Sequence, residues 1–162
     1  MADLAAHTIH ETRPRAGRDS YPITDGVTAY AGMLVGIQGG HANHWADGAT
    51  DVFAGLAIGG DDRAGDGVLT GETSDSPDPQ LHVNTGGDTL MHLASVGEIP
   101  SGTVTQSDVG DVVYATTSNV TDITISSSGR SHPIGYIIRF RSATDVDVQL
   151  FTPTEMLAQA TA

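Results

Sequence analysis

From residue 27 onward, apolar and polar positions alternate over short runs bounded by Gly, Asp, Asn and Pro. That is the pattern of strands joined by tight turns. It predicts strands at VTAY (27–30), MLVGIQ (33–38), DVFAGLAIGG (51–60), GVLTG (67–71), QLHVN (80–84), TLMHLAS (89–95), DVVYAT (111–116) and DITIS (122–126). Within 51–60, Val52, Ala54, Leu56 and Ile58 share one face and Phe53, Gly55 and Ala57 the other. Both faces are apolar, so this strand is expected to be buried on both sides. The stretches GDDRAGDG and ETSDSPDP read as polar loops between strands.

The last two runs specify a hairpin. PIGYIIRF (133–140) puts Ile134, Tyr136, Ile138 and Phe140 on one face, and DVDVQLF (145–151) does the same with Val146, Val148 and Leu150. Closing it with a loop at Ser142, Ala143 and Thr144 sets Phe140 opposite Val146, Ile138 opposite Val148 and Tyr136 opposite Leu150. On the reverse face Arg141 then opposes Asp145 and Arg139 opposes Asp147, a charged ladder that sets register. After the hairpin, TPTEMLAQATA carries a helix start: Thr152 as N-cap, Pro153 at the first helical position, and Glu155 completing a capping box. Residues 1–20 lack periodicity and hold three arginines, Arg13, Arg15 and Arg18, around Pro14 and Gly17. They read as an extended arm. The organisation expected is thus an arm (1–20), a β-rich domain (21–151) and a short helical tail (152–162).

Composition narrows the class. The 162 residues suit one domain. There is no cysteine, so neither disulfides nor thiolate metal sites can form. Acids number 20 against seven arginines and no lysine, a formal charge of −13. A surface of this sign disfavours nucleic acid as a partner. The start of the chain shows no apolar core of a secretory signal, and no run reaches the length of a membrane span.

The candidate chemistry is sparse. In GGHANHWADG, His41 and His44 are three apart, a spacing that converges on one metal from a helix but points to opposite faces of a strand. The glycines on both sides favour a strand, so no metal is expected there. Asp61, Asp62 and Asp66 crowd one loop but lack the EF-hand spacing. No nucleophile elbow occurs, and GIQGG runs toward another strand instead of a phosphate-binding helix. Asn119 begins a glycosylation sequon that has no secretory signal to go with it. From the residues alone the chain is an all-β, acidic domain that reads as non-catalytic, with no cofactor expected.

Four phrases, in order, carry a resemblance: AYAGMLVGIQ (29–38), HWADGATDVFAGLAIGG (44–60), VGDVVYATTSNVTDITIS (109–126) and PIGYIIRFRSATDVDVQLF (133–151). Together they resemble the capsid decoration, or cement, proteins of tailed bacteriophages. The resemblance implies a small β-barrel or β-tulip-like domain that forms homotrimers on the outer surface of the virion. Its implied partner is a major capsid protein of the HK97-type fold, and its implied role is to stabilise the expanded head. It also implies that the N-terminal arm orders on the shell, with Arg13, Arg15, Arg18 and Tyr21 as candidate capsid contacts. Trp45 and Phe53 become candidates for core packing or for the trimer interface. The runner-up readings are a glycan-binding β-domain on the virion surface and a metal-dependent hydrolase built on His41, His44 and nearby acids.

Overall fold

The computed structural model describes residues 17–48, 52–60, 68–71, 79–87, 89–93, 104–118, 123–125, 127, 129, 131–143 and 145–160. Each run marked as a strand by its alternation contains one. The strands are β1 (Arg18–Pro22), β2 (Thr28–Tyr30), β3 (Leu34–Gln38), β4 (His41–His44), β5 (Val52–Gly60), β6 (Val68–Thr70), β7 (Gln80–Asn84), β8 (Thr89–Leu93), β9 (Val112–Ala115), β10 (Ile123–Thr124), β11 (Gly135–Ser142) and β12 (Asp145–Leu150). One α-helix, α1 (Pro153–Ala160), follows. The protein is therefore an all-β domain with a short C-terminal helix.

The strands form two five-stranded sheets, ordered β1-β7-β5-β3-β4 and β10-β9-β11-β12-β8, with β2 and β6 paired separately. The first sheet curls until its edges meet. Ile23, just past β1, bridges Ala42 of β4, and the Thr24 amide donates to the Ala42 carbonyl at 3.0 Å. The edges touch through this bridge, so the sheet is a curled half-barrel.

Two apolar clusters follow from this geometry. One face of the curled sheet gathers Ile23, Val35, Ala42, Ala54, Ala57, Leu81 and Val83, joined by Ala29 and Leu69 of the β2–β6 pair. The opposite face of β3 and β5 supplies Leu34 and Phe53 to a second cluster. Here the second sheet contributes Val113, Ile137, Val146 and Val148, and α1 contributes Met156. The expectation that β5 is buried on both faces holds. Its phase does not: Phe53 shares a cluster with Leu56, and Ala54 with Ala57. The cause is a β-bulge. Val35 pairs with Gly55 while Gly36 pairs with Phe53, which leaves Ala54 as an extra residue. Gly55 carries the strain at φ 140, and a Cβ there would run into the Asn84 carbonyl. A second bulge, between Ala57 and Gly59, turns Ile58 outward at 40% exposure.

The arm gives way earlier than residue 21. β1 starts at Arg18 and pairs along its length with β7, Arg18 facing Asn84 and Pro22 facing Gln80. Gly17, at φ 65, leads into it and accepts the Thr85 amide at 2.6 Å. The sequence 18–22 is polar because β1 lies at the rim of the sheet, and Tyr21 is its one residue that packs on the curled core.

The hairpin forms with part of its expected register. Phe140 opposes Val146 and Arg139 opposes Asp147. Ser142, however, pairs directly with Asp145, so the loop is two residues long and Arg141 bulges. A further bulge at Ile138 shifts the rest: Ile137 opposes Val148, Tyr136 opposes Gln149 and Gly135 opposes Leu150. The inward residue is consequently Ile137, while Ile138 is 39% exposed. Strict alternation fails here because each bulge adds one residue to β11 alone.

The tail behaves as its signature dictates. The Thr152 amide donates to Glu155 Oε2 at 2.8 Å, and the Glu155 amide donates to Thr152 Oγ1 at 3.3 Å, a closed capping box. An eight-residue helix is too short to persist in water by itself. It is held by Met156, which is 1% exposed and packs between the sheets.

Candidate functional site

Of the four candidate capsid contacts, Arg13 and Arg15 lie outside the described residues. Arg18 is exposed at the start of β1. Tyr21 is half-buried against the curled core, so it belongs to the folded domain and not to a free arm. Asp61, Asp62, Asp66 and the sequon at Asn119 also lie outside the described residues.

Trp45 and Phe53 are packing residues. They are 1% and 0% exposed, and their rings meet edge to face at 5.5 Å. The Trp45 indole N–H donates to the Ala115 carbonyl at 2.7 Å, tying the end of β4 to β9 across the inter-sheet layer. Both rings are thus enclosed within the single chain. That leaves neither ring available to stack on a sugar.

His41 and His44 both lie on β4, opposite Gln38 and Val35 of β3. They serve different neighbours. His44 Nε2 meets the Thr28 carbonyl at 2.7 Å, so that nitrogen carries the proton. Its Nδ1 then accepts from the Ser118 hydroxyl at 3.3 Å. With both nitrogens engaged, the ring joins β2, β4 and the loop after β9. His41 Nδ1 lies 3.2 Å from the Gly39 carbonyl, within the β3–β4 turn. Beside it opens a shallow cleft of about 400 Å³ lined by Thr24, Asp25, Gln38, Gly39 and His41.

One carboxylate, Asp47, has a role that sequence reasoning did not assign, and a second, Asp147, has a partner that it did not assign. Asp47, in the phrase HWADG, has a side chain only 4% exposed. It accepts the Ser131 amide at 2.6 Å, the His132 amide at 3.0 Å and His132 Nδ1 at 2.8 Å. One carboxylate thus anchors the entry to β11 from 85 residues away. Its visible sequence signal was a turn, Asp47-Gly48, and nothing local identifies a partner so distant.

The charged ladder of the hairpin is reorganised by the bulge at Arg141. Arg141 does not face Asp145. It reaches Asp147 instead, Nε to Oδ1 and Nη2 to Oδ2, both at 2.9 Å. This is a bidentate fork on a carboxylate that is 2% exposed. Arg139 approaches the same carboxylate at 3.7 Å from a side chain 63% exposed. The hydrogen bond to Asp147, together with the nearby charge of Asp147 and Asp145, raises the pKa of Arg141 against a smaller opposing effect of burial.

The surface of the described residues carries four well-exposed large apolar side chains: Tyr30, Ile58, Ile138 and Leu157. Ile58 and Ile138 both sit at strand bulges, which is how a strand presents an apolar side chain outward without breaking its core face. No described helix is long and apolar enough to cross a membrane. No family model, curated protein or solved structure matches the chain.

Proposed function

We propose that this chain is a capsid decoration protein: a homotrimer that binds the outer surface of a tailed-phage head built from an HK97-fold capsid protein. One observation supports the reading above the others. The four resembling phrases fall, in order, on β2–β3, the end of β4 through β5, β9–β10 and β11–β12. They supply Leu34, Trp45, Phe53, Val113, Ile123, Ile137, Val146 and Val148, the residues that join the two sheets. The likeness therefore runs through the packing that defines the domain.

The physics of cementing asks little of any single contact. A trimer presents three equivalent footprints, and binding at one raises the effective concentration of the other two. A protein that binds the expanded shell in preference to the unexpanded one stabilises it by mass action. Such a role requires no catalytic group. Trp45 and Phe53 are enclosed, which weighs against a glycan-stacking surface built on them, and both His44 nitrogens are engaged, which weighs against the metal-hydrolase reading.

Electron cryomicroscopy of the particle that contains this protein tests the proposal. Density for this fold at threefold and quasi-threefold positions is the expected result, and its absence there overturns the reading. Removing residues 1–16 leaves β1 whole, so the truncated chain is expected to fold and to bind expanded shells more weakly. Undiminished occupancy would transfer the binding role from the arm to the body of the domain.

A further inference from the structure

We infer that this fold is built for molar salt and reaches its full stability only there. The inference concerns the isolated chain and is independent of the capsid reading. It begins with a shortage of cations. Twenty carboxylates face seven arginines, with no lysine. Two of the seven, Arg139 and Arg141, lie against the carboxylate of Asp147, with the charge of Asp145 also acting on Arg141. Even with a different acid for each of the seven arginines, thirteen acids would have no arginine of their own. Asp25, Asp111 and Glu155 stand exposed on the described surface.

Folding concentrates this charge. A chain of this length contracts from a radius of gyration of about 42 Å to about 15 Å. Self-repulsion grows with the square of the net charge and penalises the compact state. The Debye length is about 10 Å at 0.1 M salt, so the field still spans much of the folded molecule, whereas at 1 M it is about 3 Å and the repulsion is confined to immediate neighbours. Stability must then climb as salt is added.

The choice of residues answers the opposite hazard. Concentrated salt drives apolar surface together. Lysine and glutamate carry aliphatic stems that add to such surface. Here lysine is missing and sixteen of the twenty acids are aspartate, the shortest charged side chain. The surface is thus highly charged and poor in exposed methylenes, a combination that repels itself in dilute buffer and stays dispersed in brine.

Thermal unfolding of the full chain, followed by the fluorescence of Trp45, tests this. Trp45 is the one tryptophan and lies between the sheets, so it reports on the whole fold. Between about 0.1 M and 2 M NaCl, Tm is expected to rise by roughly 10 °C. The double variant Asp25→Lys/Asp111→Lys moves the formal charge from −13 to −9. It is expected to melt higher than the parent at low salt and to converge with it at high salt. A Tm that is flat across the titration overturns the inference. So does a variant whose Tm runs parallel to the parent's at every salt concentration, because the gain would then come from general exclusion of salt and not from screening of the acids.

Discussion

The two apolar clusters are built from different residues, and the contrast explains much of the fold. Among the described residues, four of the ten buried inside the curled sheet are alanines: Ala29, Ala42, Ala54 and Ala57. Between the sheets, alanine appears once among the fourteen described, and Trp45, Phe53, Phe151 and Met156 fill the space. A five-stranded sheet curled until its edges touch leaves little room on its concave face, so small side chains line it. Two sheets stacked face to face stand about 10 Å apart, a gap that only large side chains fill. β5 lies between the clusters and serves both, and the bulge at Ala54 sets which side chain enters which.

If the inter-sheet layer dominates stability, its largest member should show it most. Trp45→Ala removes the edge-to-face contact with Phe53 and the hydrogen bond to Ala115 together. A loss of about 3–5 kcal/mol is expected, measured by urea unfolding. A cost under about 1 kcal/mol would mean that this layer collapses around the hole and that the curled core holds the fold alone.

The curled core should fail in the opposite sense, by overfilling. Ala54→Leu puts a large side chain where the bulge directs a methyl group inward. The expected cost is about 1–3 kcal/mol, with little change in the urea m-value. The same enlargement between the sheets, at Ala115, would meet larger neighbours that can repack. If Ala54→Leu is neutral, the interior of the curl is looser than its alanines imply.

How much of this was legible beforehand depended on distance along the chain. Strand positions came through because alternation is local, and the α1 cap came through because Thr152, Pro153 and Glu155 lie within four residues. β1 was hidden: RDSYP has no alternation, and its partner β7 is more than fifty residues away. The bulges were hidden too. A one-residue insertion in β11 leaves Ile137 and Ile138 equally apolar on the page, and only the pairing with Val148 says which points inward. The same is true of the candidate site residues. The tie between Asp47 and His132 and the double engagement of Asp147 depend on strands meeting in space. The chain's one tryptophan, Trp45, stands out in the sequence, yet its neighbours, and hence its role, come only with the second sheet.

The ion pairs of the hairpin sharpen the comparison from outside both cores, because they divide by burial in the same way. Arg141→Ala strips the bidentate partner from a carboxylate that is 2% exposed, whereas Arg139→Ala removes a side chain that is mostly in solvent. Thermal melts should show a clear loss for the first and a change within about 1 kcal/mol for the second. Equal effects would mean that Asp147 is held by the ladder of the hairpin, in the arrangement strict alternation suggests, and not by the bulge.

The smallest effect expected is at the tail, where it asks whether α1 belongs to the inter-sheet layer or merely rests on it. Thr152→Ala removes the Oγ1 that accepts the Glu155 amide, keeps the backbone N–H that donates to the Glu155 carboxylate, and leaves Met156 in place. The cost should be about 1 kcal/mol. Met156→Ala leaves the cap and removes the anchor, and should cost more, because the helix persists only through what it buries. If the cap mutant is the worse of the two, local signals hold the helix, and the layer between the sheets ends at Phe151.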